Sequence, residues 1–466
     1  MPDQQDNQLD NQLDNQLDDQ LDDQQDIGPG QRPGPTTQPA EPTAEANPAG
    51  RPSRRGLSRR GFFAGAGAGV VAGALAGGGG TAAAMSRGAD QVQTEGIDFN
   101  NSHPFYTGSH QAGIETEPQR YCVYMTFDLV SSTATDLQVL LARWSAGIAQ
   151  LMQGKPVGSV SPTQTGAVAG DTGEAYNLGP SSLTVTLGLG PGVFDHRFGL
   201  ASRKPKLLAP LPALPSDQLE KGYTGGDLSL QACADDPQVA YHAIRNLARM
   251  GRGVVNTRWT VMGFGRASAG KGQTTPRNLL GFKDGTRNIK ETADFNDHVW
   301  IGDNDVAWMR GGCYQVARKI QMDIEIWDAD RVSDQQQVIG RTKGGGAPLS
   351  GTAEFDTPNF TAKDAGGDYK IPMKSHIALA AHENNGGVKI LRRSYNYTDG
   401  ISQFGQLDAG LLFIAYMDTP QSFVRLQQKL GSSDLLNEYI SHIGSGIFAV
   451  PPAPTQGHYL AEALFN

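Results

Sequence analysis

The sequence has little cysteine, and its cysteines are not spaced as a metal site or a disulfide framework. Only Cys122, Cys233 and Cys313 occur in 466 residues. Structural zinc sites use closely paired cysteines and small secreted domains use an even set, so the sequence supports neither class. Each cysteine lies in an apolar run with the character of a strand, which predicts three buried thiols.

The sequence also has no excess of positive charge. Lysine and arginine number 39 against 48 aspartates and glutamates, which gives a formal net charge of −9. A protein that binds nucleic acid presents a basic surface to the phosphates, so we expect no nucleic-acid partner. Much of the acid lies in the first 26 residues, and the rest of the chain is nearer neutral.

Apolar residues are too few in residues 1–52 to form a core. The tetrad Asn-Gln-Leu-Asp repeats in register from Asn7 through Asp18, and a segment rich in Pro, Gly, Thr and Ala follows. So few apolar residues beside like charges bury too little surface to offset the entropy of ordering the chain. We therefore predict a disordered, acidic and proline-rich extension.

Residues 53–88 have the pattern of a twin-arginine export signal. Arg59 and Arg60 precede Gly61 and two phenylalanines, and a weakly hydrophobic run of Ala, Gly, Val and Leu follows. The small residues Ala82–Ala84 provide a cleavage site, and the glycines make the run far less apolar than a membrane span. We therefore expect export of the folded protein, with any cofactor in place, by the twin-arginine machinery.

Export by this route predicts an extracellular or cell-envelope protein with no stable membrane span after the signal is removed. The signal stands unusually far from the first residue. Either the export machinery accepts a long leader, or translation starts downstream, near the basic stretch.

Hydrophobic periodicity in residues 89–290 predicts the element order β-α-β-β-α-β. Alternating β-forming residues indicate strands, and apolar residues at helical spacing indicate helices. The predicted strands are 121–128, 183–189, 227–232 and 254–264, and the predicted helices are 136–153 and 236–250. This order is that of the ferredoxin-like unit.

Residues 291–466 repeat that order. The predicted strands are 313–327, 389–397, 411–417 and 446–450, and the predicted helices are 330–340 and 421–430. The sequence therefore predicts an α+β chain of two ferredoxin-like domains, of the dimeric α/β-barrel type. We expect the two sheets to pack face to face and to enclose a cofactor pocket.

One short stretch, residues 278–288, concentrates polar chemistry. It reads Asn-Leu-Leu-Gly-Phe-Lys-Asp-Gly-Thr-Arg-Asn and combines an acid, two bases and amide side chains. Glycines near Asp284 on both sides let the backbone turn tightly and let a ligand approach the carboxylate. Because Lys-Asp-Gly is also a common surface turn, other parts of the chain must decide between a turn and a site.

Residues 281–288 resemble the signature of the dye-decolorising peroxidases, which are haem enzymes with a tandem ferredoxin-like fold. Further blocks between residues 103 and 452 resemble the same family, namely 226–228, 233–237, 312–316, 339–341, 346–349, 375–377, 390–393 and 447–452. The exported subgroup that includes the bacterial deferrochelatase/peroxidase is the most similar. The resemblance implies one haem b per chain, hydrogen peroxide as a substrate, and a dye, phenol or other bulky organic compound as the reductant.

The resemblance selects His376, among nine histidines, as the ligand of the haem iron. In the family, the positions of Ala381, His382 and Glu383 are commonly Asn-Pro-Arg, which contacts the haem. This sequence departs from that pattern. We expect these three residues at the haem, with His382 near a propionate or the pocket wall, where it partly replaces the missing cation.

The resemblance also implies that Asp284 moves the peroxide proton, since one carboxylate can act first as a base and then as an acid. Arg392 is expected to stabilise the charge that develops as the O–O bond breaks. Arg392 and Arg393 alternate along a strand, so only one of them can face the haem. The family register favours Arg392, and Arg393 is the alternative.

Four further residues are expected around the haem edge. The resemblance places Gly285, Thr286 and Arg287 there, with Arg287 paired to a propionate through its planar fork. Asn288 is expected to hold a water molecule on the peroxide side. Arg341 is expected to approach the propionates.

Two other functions and several details stay open at this stage. The protein could remove iron from haem and leave the porphyrin intact, as in the deferrochelatase relatives, or it could be an exported haem-binding module without turnover. Electron relays to large dyes have candidates that core packing explains equally well, namely Trp300, Trp308, Trp327, Tyr395 and Tyr397. The sequence does not show whether the chain forms a homo-oligomer.

Overall fold

A computed structural model describes residues 97–265 and 275–466. The predicted extension (1–52) and export signal (53–88) lie outside the described residues. The strands are β1 (Tyr121–Leu129), β2 (Thr184–Leu189), β3 (Leu228–Ala234), β4 (Val255–Phe264), β5 (Cys313–Met322), β6 (Leu391–Arg392), β7 (Tyr395–Ile401), β8 (Leu407–Met417) and β9 (Ile440–Val450). The helices are α1 (Ala134–Leu151), α2 (Pro237–Met250), α3 (Thr292–His298), α4 (Ile324–Ala329), α5 (Val332–Ile339), α6 (His376–Ala380) and α7 (Pro420–Ser433). Across these two ranges, no helix has both the length and the apolar character needed to cross a membrane.

The first half confirms all six predicted elements, with ends that shift by a few residues. Strands β1 to β4 pair antiparallel in the order β2-β3-β1-β4. Both helices begin at side-chain caps. Thr133 accepts the N–H of Asp136 at 3.1 Å, and Asp236 accepts the N–H groups of two residues just after Pro237. Such a cap contributes about 1 kcal/mol to helix stability.

The second half forms a matching antiparallel sheet in the order β9-β5-β8-β7. The two sheets join edge to edge, through the pair Leu189–Ala449 between β2 and β9 and the pair Gly263–Tyr397 between β4 and β7. Because β5 also pairs with β8, the ring of strands closes into a barrel. Closure leaves few strand edges free to pair with another chain.

Side chains fill the barrel, and several of them are polar. Tyr124 donates to Oε1 of Gln315 at 2.9 Å, and Gln315 donates to the hydroxyl of Tyr416 at 2.8 Å. Tyr416 in turn donates to Gln231 at 2.8 Å. All four are buried. A connected network of this kind satisfies each buried polar group and fixes how the two halves meet.

The predicted strand 313–327 is too long. Strand β5 ends at Met322, and residues Ile324–Ala329 form α4 instead. The pairing of Met322 with Ile440 is the last of the β5–β9 ladder, because β9 begins there. Because residues 324–329 have no partner strand, they form a helix, although the alternating pattern of the sequence continues to Trp327.

The predicted strand 389–397 appears as β6 and β7. Both pair with β8 in one register, Arg392 with Ala415 and Tyr395 with Leu412, and the N–H of Arg393 donates to the carbonyl of Ile414 at 2.7 Å. Alternation therefore runs unbroken through this segment. Helices α3 and α6 were not predicted, since each has fewer than eight residues and too short a pattern to detect.

All three cysteines are buried and free, as predicted.

Candidate active site

A cavity lies against the outer face of the second-half sheet, and among residues 97–265 and 275–466 its lining begins at Asn278. Arg318 and Ile320 of β5 and Phe413 of β8 form its floor, while α6, α7 and the turn 278–288 form its walls. The intervening side chains of the same strands, among them Leu412, point into the barrel core. The expectation that the two sheets enclose the pocket is therefore wrong, because their shared interior is filled.

His376 stands at the start of α6 and lines the cavity. Its Nδ1 lies 2.7 Å from Oδ2 of Asp434. The carboxylate therefore accepts a hydrogen bond from Nδ1–H, and the Nε2 lone pair remains for a metal. The other oxygen of Asp434 accepts the N–H of Leu436 at 2.9 Å, which fixes the carboxylate. Burial opposes protonation of the ring, but Asp434 outweighs it and raises the pKa of His376.

Asp284 and Arg392 meet on a second wall of the cavity. Nη1 of Arg392 lies 3.0 Å from Oδ1 of Asp284, and both residues line the cavity. The turn holds Asp284 through its own N–H, which donates to the carbonyl of Pro276 at 2.9 Å. Gly285 follows with a φ of 119°, a value that other residues rarely adopt. The two residues that sequence reasoning predicted for peroxide chemistry are thus brought together from segments 108 residues apart.

The side chain of Asn288 holds the backbone of Arg392. The Asn288 side chain is not among those that line the cavity. The Nδ2 group donates to the carbonyl of Arg392 at 2.7 Å, and Oδ1 accepts the N–H of Arg392 at 2.9 Å. Both amide atoms are therefore used to clamp the backbone of β6. Asn288 therefore positions Arg392, and its contact with a water molecule stays a prediction.

A buried carboxylate anchors the turn from behind. Glu354 accepts hydrogen bonds from the ammonium group of Lys283 and, at 3.0 Å, from the hydroxyl of Thr286. Burial favours the neutral acid, but these donors outweigh it and lower the pKa of Glu354. Sequence reasoning missed this residue, since nothing in residues 350–356 distinguishes Glu354 from a surface acid.

Arg287 does reach the cavity, but it has a protein partner there. Its two Nη atoms lie 2.6 and 3.1 Å from the carboxylate oxygens of Glu383 in a two-pronged ion pair. Glu383 does not line the cavity, whereas Ala381 and His382 do. The ring of His382 lies 3.4 Å from Glu383. The acid that replaces the family arginine is therefore neutralised by Arg287 at the cavity edge.

Arg341 lines the cavity at 5% exposure, and its contact with the propionates stays a prediction. Its Nη1 donates to the carbonyls of Gly346 at 2.6 Å and Glu354 at 2.9 Å. Much of its donor capacity thus holds the loop that carries Glu354, and its charge lies beside the cavity.

Arg393 does not line the cavity, so the alternative to Arg392 is wrong. It is 2% exposed and points to the other side of the sheet. There its guanidinium donates to the carbonyl of Thr116 and to the side chain of Gln119. Strand alternation decides this, since the two arginines are consecutive and β8 keeps its register past both.

The cavity also has polar residues that sequence reasoning missed. His442 of β9 and Arg318 of β5 share a sheet face, because Ile320 pairs with His442, and Gln427 of α7 covers them. Burial, and then the charge of Arg318, lower the pKa of His442 to about 3, so this ring is neutral. Strand pairing alone creates this group, and no local motif signals it.

These residues fit a haem. One imidazole with a fixed proton offers a single ligand to iron, which is what a porphyrin-held iron needs from the protein. Arg341 and Arg287 line the cavity and suit the propionates, and Arg287 would share its charge between a propionate and Glu383. The remaining lining is largely apolar and suits the ring, and it includes Ile339, Phe360, Ile377, Val388, Ile390, Phe413 and Leu430.

Comparison with known proteins agrees with this chemistry. Sequence models of the N-terminal and C-terminal parts of the Dyp-type peroxidases match residues 111–265 and 275–455. The chain belongs to the Dyp-type peroxidase family. A curated relative of this peroxidase, the deferrochelatase of Yersinia pestis, is 39% identical over 402 residues, which cover 84% of this chain and 91% of the relative.

Solved structures resemble this Dyp-type peroxidase over most of its length. DtpA from Streptomyces lividans is 37% identical with a TM-score of 0.74, over 79% of this chain and 98% of that one. A DyP-type peroxidase from Streptomyces coelicolor is 37% identical with a TM-score of 0.73, over the same shares of the two chains. The enzyme is therefore a haem peroxidase, which uses hydrogen peroxide and a reducing substrate.

Proposed function

We propose that this peroxidase binds one haem b per chain in the cavity, with His376 on the iron and Asp284 and Arg392 acting on peroxide. The observation that carries the proposal is the convergence on one cavity of the Asp434-bound His376 with the Asp284–Arg392 pair. When bound, haem supplies the iron at which peroxide is cleaved and the electrons of the reducing substrate are taken up. The protein supplies the proton transfers, the charge stabilisation and the orientation.

Asp284 accepts the proton from one peroxide oxygen and returns it to the other, which leaves as water. A single positioned carboxylate can do both, because the base of the first step is the acid of the second. Arg392 stabilises the negative charge on the departing oxygen through its guanidinium N–H groups. Asn288 holds Arg392 in position through hydrogen bonds to its backbone carbonyl and N–H. Asp434 keeps the Nε2 atom of His376 directed into the cavity.

We also propose that the chain consists of two ferredoxin-like units and that it is exported. Each half has the order β-α-β-β-α-β with its fourth and second strands at the sheet edges, which supports two ferredoxin-like units that form one barrel. The twin-arginine pattern at Arg59 and Arg60 supports export of the folded, haem-loaded protein.

Replacing Asp284 tests the peroxidase assignment. The Asp284→Asn variant keeps the shape of the side chain and loses its basicity, so the rate of reaction with hydrogen peroxide is expected to fall about 10²–10⁴-fold. The haem absorption band and the haem content should stay as in the wild type. Unchanged stopped-flow rates with full haem content would remove Asp284 from this role.

Removal of iron from haem is the second candidate function, because the deferrochelatase of Yersinia pestis covers so much of this chain. One assay distinguishes iron removal from peroxide turnover. Added haem is incubated with the protein without peroxide, and free protoporphyrin is followed by its fluorescence. Porphyrin release that persists in Asp284→Asn, while peroxide turnover is lost, would show that iron removal is a separate activity.

A further inference from the structure

Two cysteines lie side by side inside the barrel, away from the cavity. Cys122 on β1 and Cys233 on β3 are register partners, each is 0% exposed, and neither lines the cavity. The third cysteine, Cys313, is equally buried, and its register partner on β9 is Val450. The pair has no part in the peroxide chemistry described above.

The hydrogen-bond pattern shows how closely the two cysteines face each other. The N–H and the carbonyl of Leu187 on β2 are both bonded to the side chain of Gln111, so they point away from β3. Alternation along β2 then directs the backbone groups of Thr184 towards its partner Cys233 on β3. The backbone groups of Cys233 therefore point to β2 and away from β1. Cys122 and Cys233 thus form a pair without backbone hydrogen bonds between them.

This kind of pair suits a disulfide. In antiparallel sheets, residues opposite each other without mutual backbone bonds have Cα atoms about 4.5 Å apart, with their side chains close. A disulfide needs Cα atoms roughly 4.4–6.8 Å apart. The strand pairing therefore spaces the two backbones as a disulfide requires.

The surroundings of Cys233 favour its thiolate. The hydroxyl of Tyr395 donates to Sγ of Cys233 at 3.4 Å, and the buried cation of Arg393 lies close by. Burial opposes ionisation, but Cys122 as a hydrogen-bond partner, and then Arg393 and Tyr395, outweigh it and lower the pKa of Cys233. Burial and the neighbouring Cys233 raise the pKa of Cys122. Ionisation is therefore favoured at Cys233 and opposed at Cys122.

We propose that Cys122 and Cys233 are a redox-active dithiol that hydrogen peroxide converts into an intramolecular disulfide. The thiolate of Cys233 attacks one peroxide oxygen, an S–O bond forms, the O–O bond breaks, and hydroxide leaves and takes up a proton to become water. The sulfur of Cys122 then attacks the sulfur of the sulfenic acid, an S–S bond forms, and the hydroxyl group leaves with the Cys122 proton as a second water. Two cysteine sulfurs lose two electrons, and one peroxide molecule gains them.

The oxidant is the substrate that the family already uses, so no other reactant is needed. Both sulfurs are buried, and the reaction is therefore limited by entry of peroxide into the barrel and is slower than turnover at the haem. The disulfide would join β1 to β3 and absorb two oxidising equivalents when reducing substrate is exhausted. The chemistry does not depend on where haem binds, so failure of the cavity assignment would leave it unaffected.

Differential alkylation of the haem-loaded full chain tests the proposal. The protein is titrated with hydrogen peroxide, denatured and alkylated, then reduced and alkylated with a heavier reagent, and its peptides are analysed by mass spectrometry. Cys122 and Cys233 should take up the second label together, with a linked peptide before reduction. They should lose their thiols at least about tenfold faster than Cys313, which has neither a thiolate-stabilising cation nor a thiol partner.

Two variants complete the test. In Cys122→Ser the sulfenic acid of Cys233 has no thiol to attack it, and dimedone should trap it. Cys313→Ser is the matched control and should form the linked peptide as the wild type does. The proposal is overturned if Cys122 and Cys233 react no faster than Cys313, or if they become sulfinic acids in the wild type without the linked peptide.

Discussion

Arg392 and Arg393 are consecutive, yet they lie in two different environments. Arg392 has 31% of its side chain accessible, lines the cavity and pairs with Asp284 at 3.0 Å. Arg393 is 2% exposed, and it holds the carbonyl of Thr116 and the side chain of Gln119 against the barrel. One guanidinium is placed to act on a ligand, and the other ties the segment before β1 to the second half of the chain.

The same contrast runs through the second-half sheet. One face of β5 and β8 forms the floor of the cavity, and the other face packs into a barrel interior of tyrosine, glutamine and cysteine side chains. Substitutions on the cavity face are expected to lower activity and to leave stability largely unchanged. Residues on the interior face have no water to replace a lost partner, so their change costs stability.

The largest expected effect is on the interior face. Arg393→Met removes a fully buried cation together with its hydrogen bonds and leaves the Thr116 carbonyl and Gln119 without their donor. We expect a loss of about 1–3 kcal/mol in the free energy of unfolding for each of these two buried acceptors, measured by urea denaturation followed by circular dichroism. Arg392→Met is the matched control and should unfold like the wild type. A loss within about 0.5 kcal/mol, as for surface positions, would contradict the assignment of Arg393 to a structural role.

The next effect is on the cavity face. Arg392→Leu removes the donors that stabilise charge on the departing oxygen, so kcat/KM for hydrogen peroxide should fall about 10²–10³-fold. Stability should stay near that of the wild type. Arg392→Lys keeps the charge and loses the planar fork, so it should recover only part of the rate. Full activity in Arg392→Leu would show that Arg392 does not stabilise the departing oxygen.

Replacing Asp434 tests whether haem binding through His376 depends on the carboxylate that binds its Nδ1 atom. Asp434→Asn keeps a hydrogen-bond acceptor for Nδ1 of His376 but removes the negative charge that raises its pKa. Haem affinity is expected to fall about 10–100-fold, measured as transfer of haem to an excess of a haem-free acceptor protein. Asp418→Asn, on a carboxylate outside the cavity lining, is the control and should transfer haem at the wild-type rate. Equal rates in both variants would show that Asp434 does not support the ligand.

The smallest expected effect concerns the wall behind Asp284 and depends on pH. The pKa of Glu354 is lowered in the folded protein by Lys283 and Thr286, against the effect of burial. Its contribution to stability is therefore complete above its ordinary value of 4.5 and is lost as the pH falls from there through the lowered pKa. Glu354→Gln should be less stable than the wild type near neutral pH, and the difference should shrink as the pH falls through this range. Thermal unfolding at several pH values measures it, and a difference that is constant with pH would contradict the ion pair.

Much of the fold was predictable because periodicity is a local property. The six elements of the first half and most of those in the second appear where alternation and helical spacing place them. The predicted end of strand 313–327 was wrong. Its alternating pattern continues past Met322, but Met322 pairs with Ile440, where the partner strand β9 begins. Strand ends in a sheet depend on the neighbour as much as on the strand's own residues.

The site was predictable only where a residue lies in a recognisable motif. Asp284, Arg392 and His376 were selected by resemblance to the family, and the structure brings all three to one cavity. Asp434, Glu354 and His442 were missed, since each acts through a partner far away in sequence. The bonds from Asn288 to the backbone of Arg392 were missed too, because a motif shows the position of a residue and not the direction of its amide.

By itself, the sequence determined the order of elements, the resemblance to the peroxidases, and the rule that Arg392 and Arg393 must face opposite ways, because alternation is set by the chain alone. Tertiary structure decided which arginine faces the cavity, and it decided that the cavity lies outside the barrel. It also brought Cys122 opposite Cys233, 111 residues apart in the chain. These outcomes depend on the register between strands, which is set by packing across the sheet and not by any one segment.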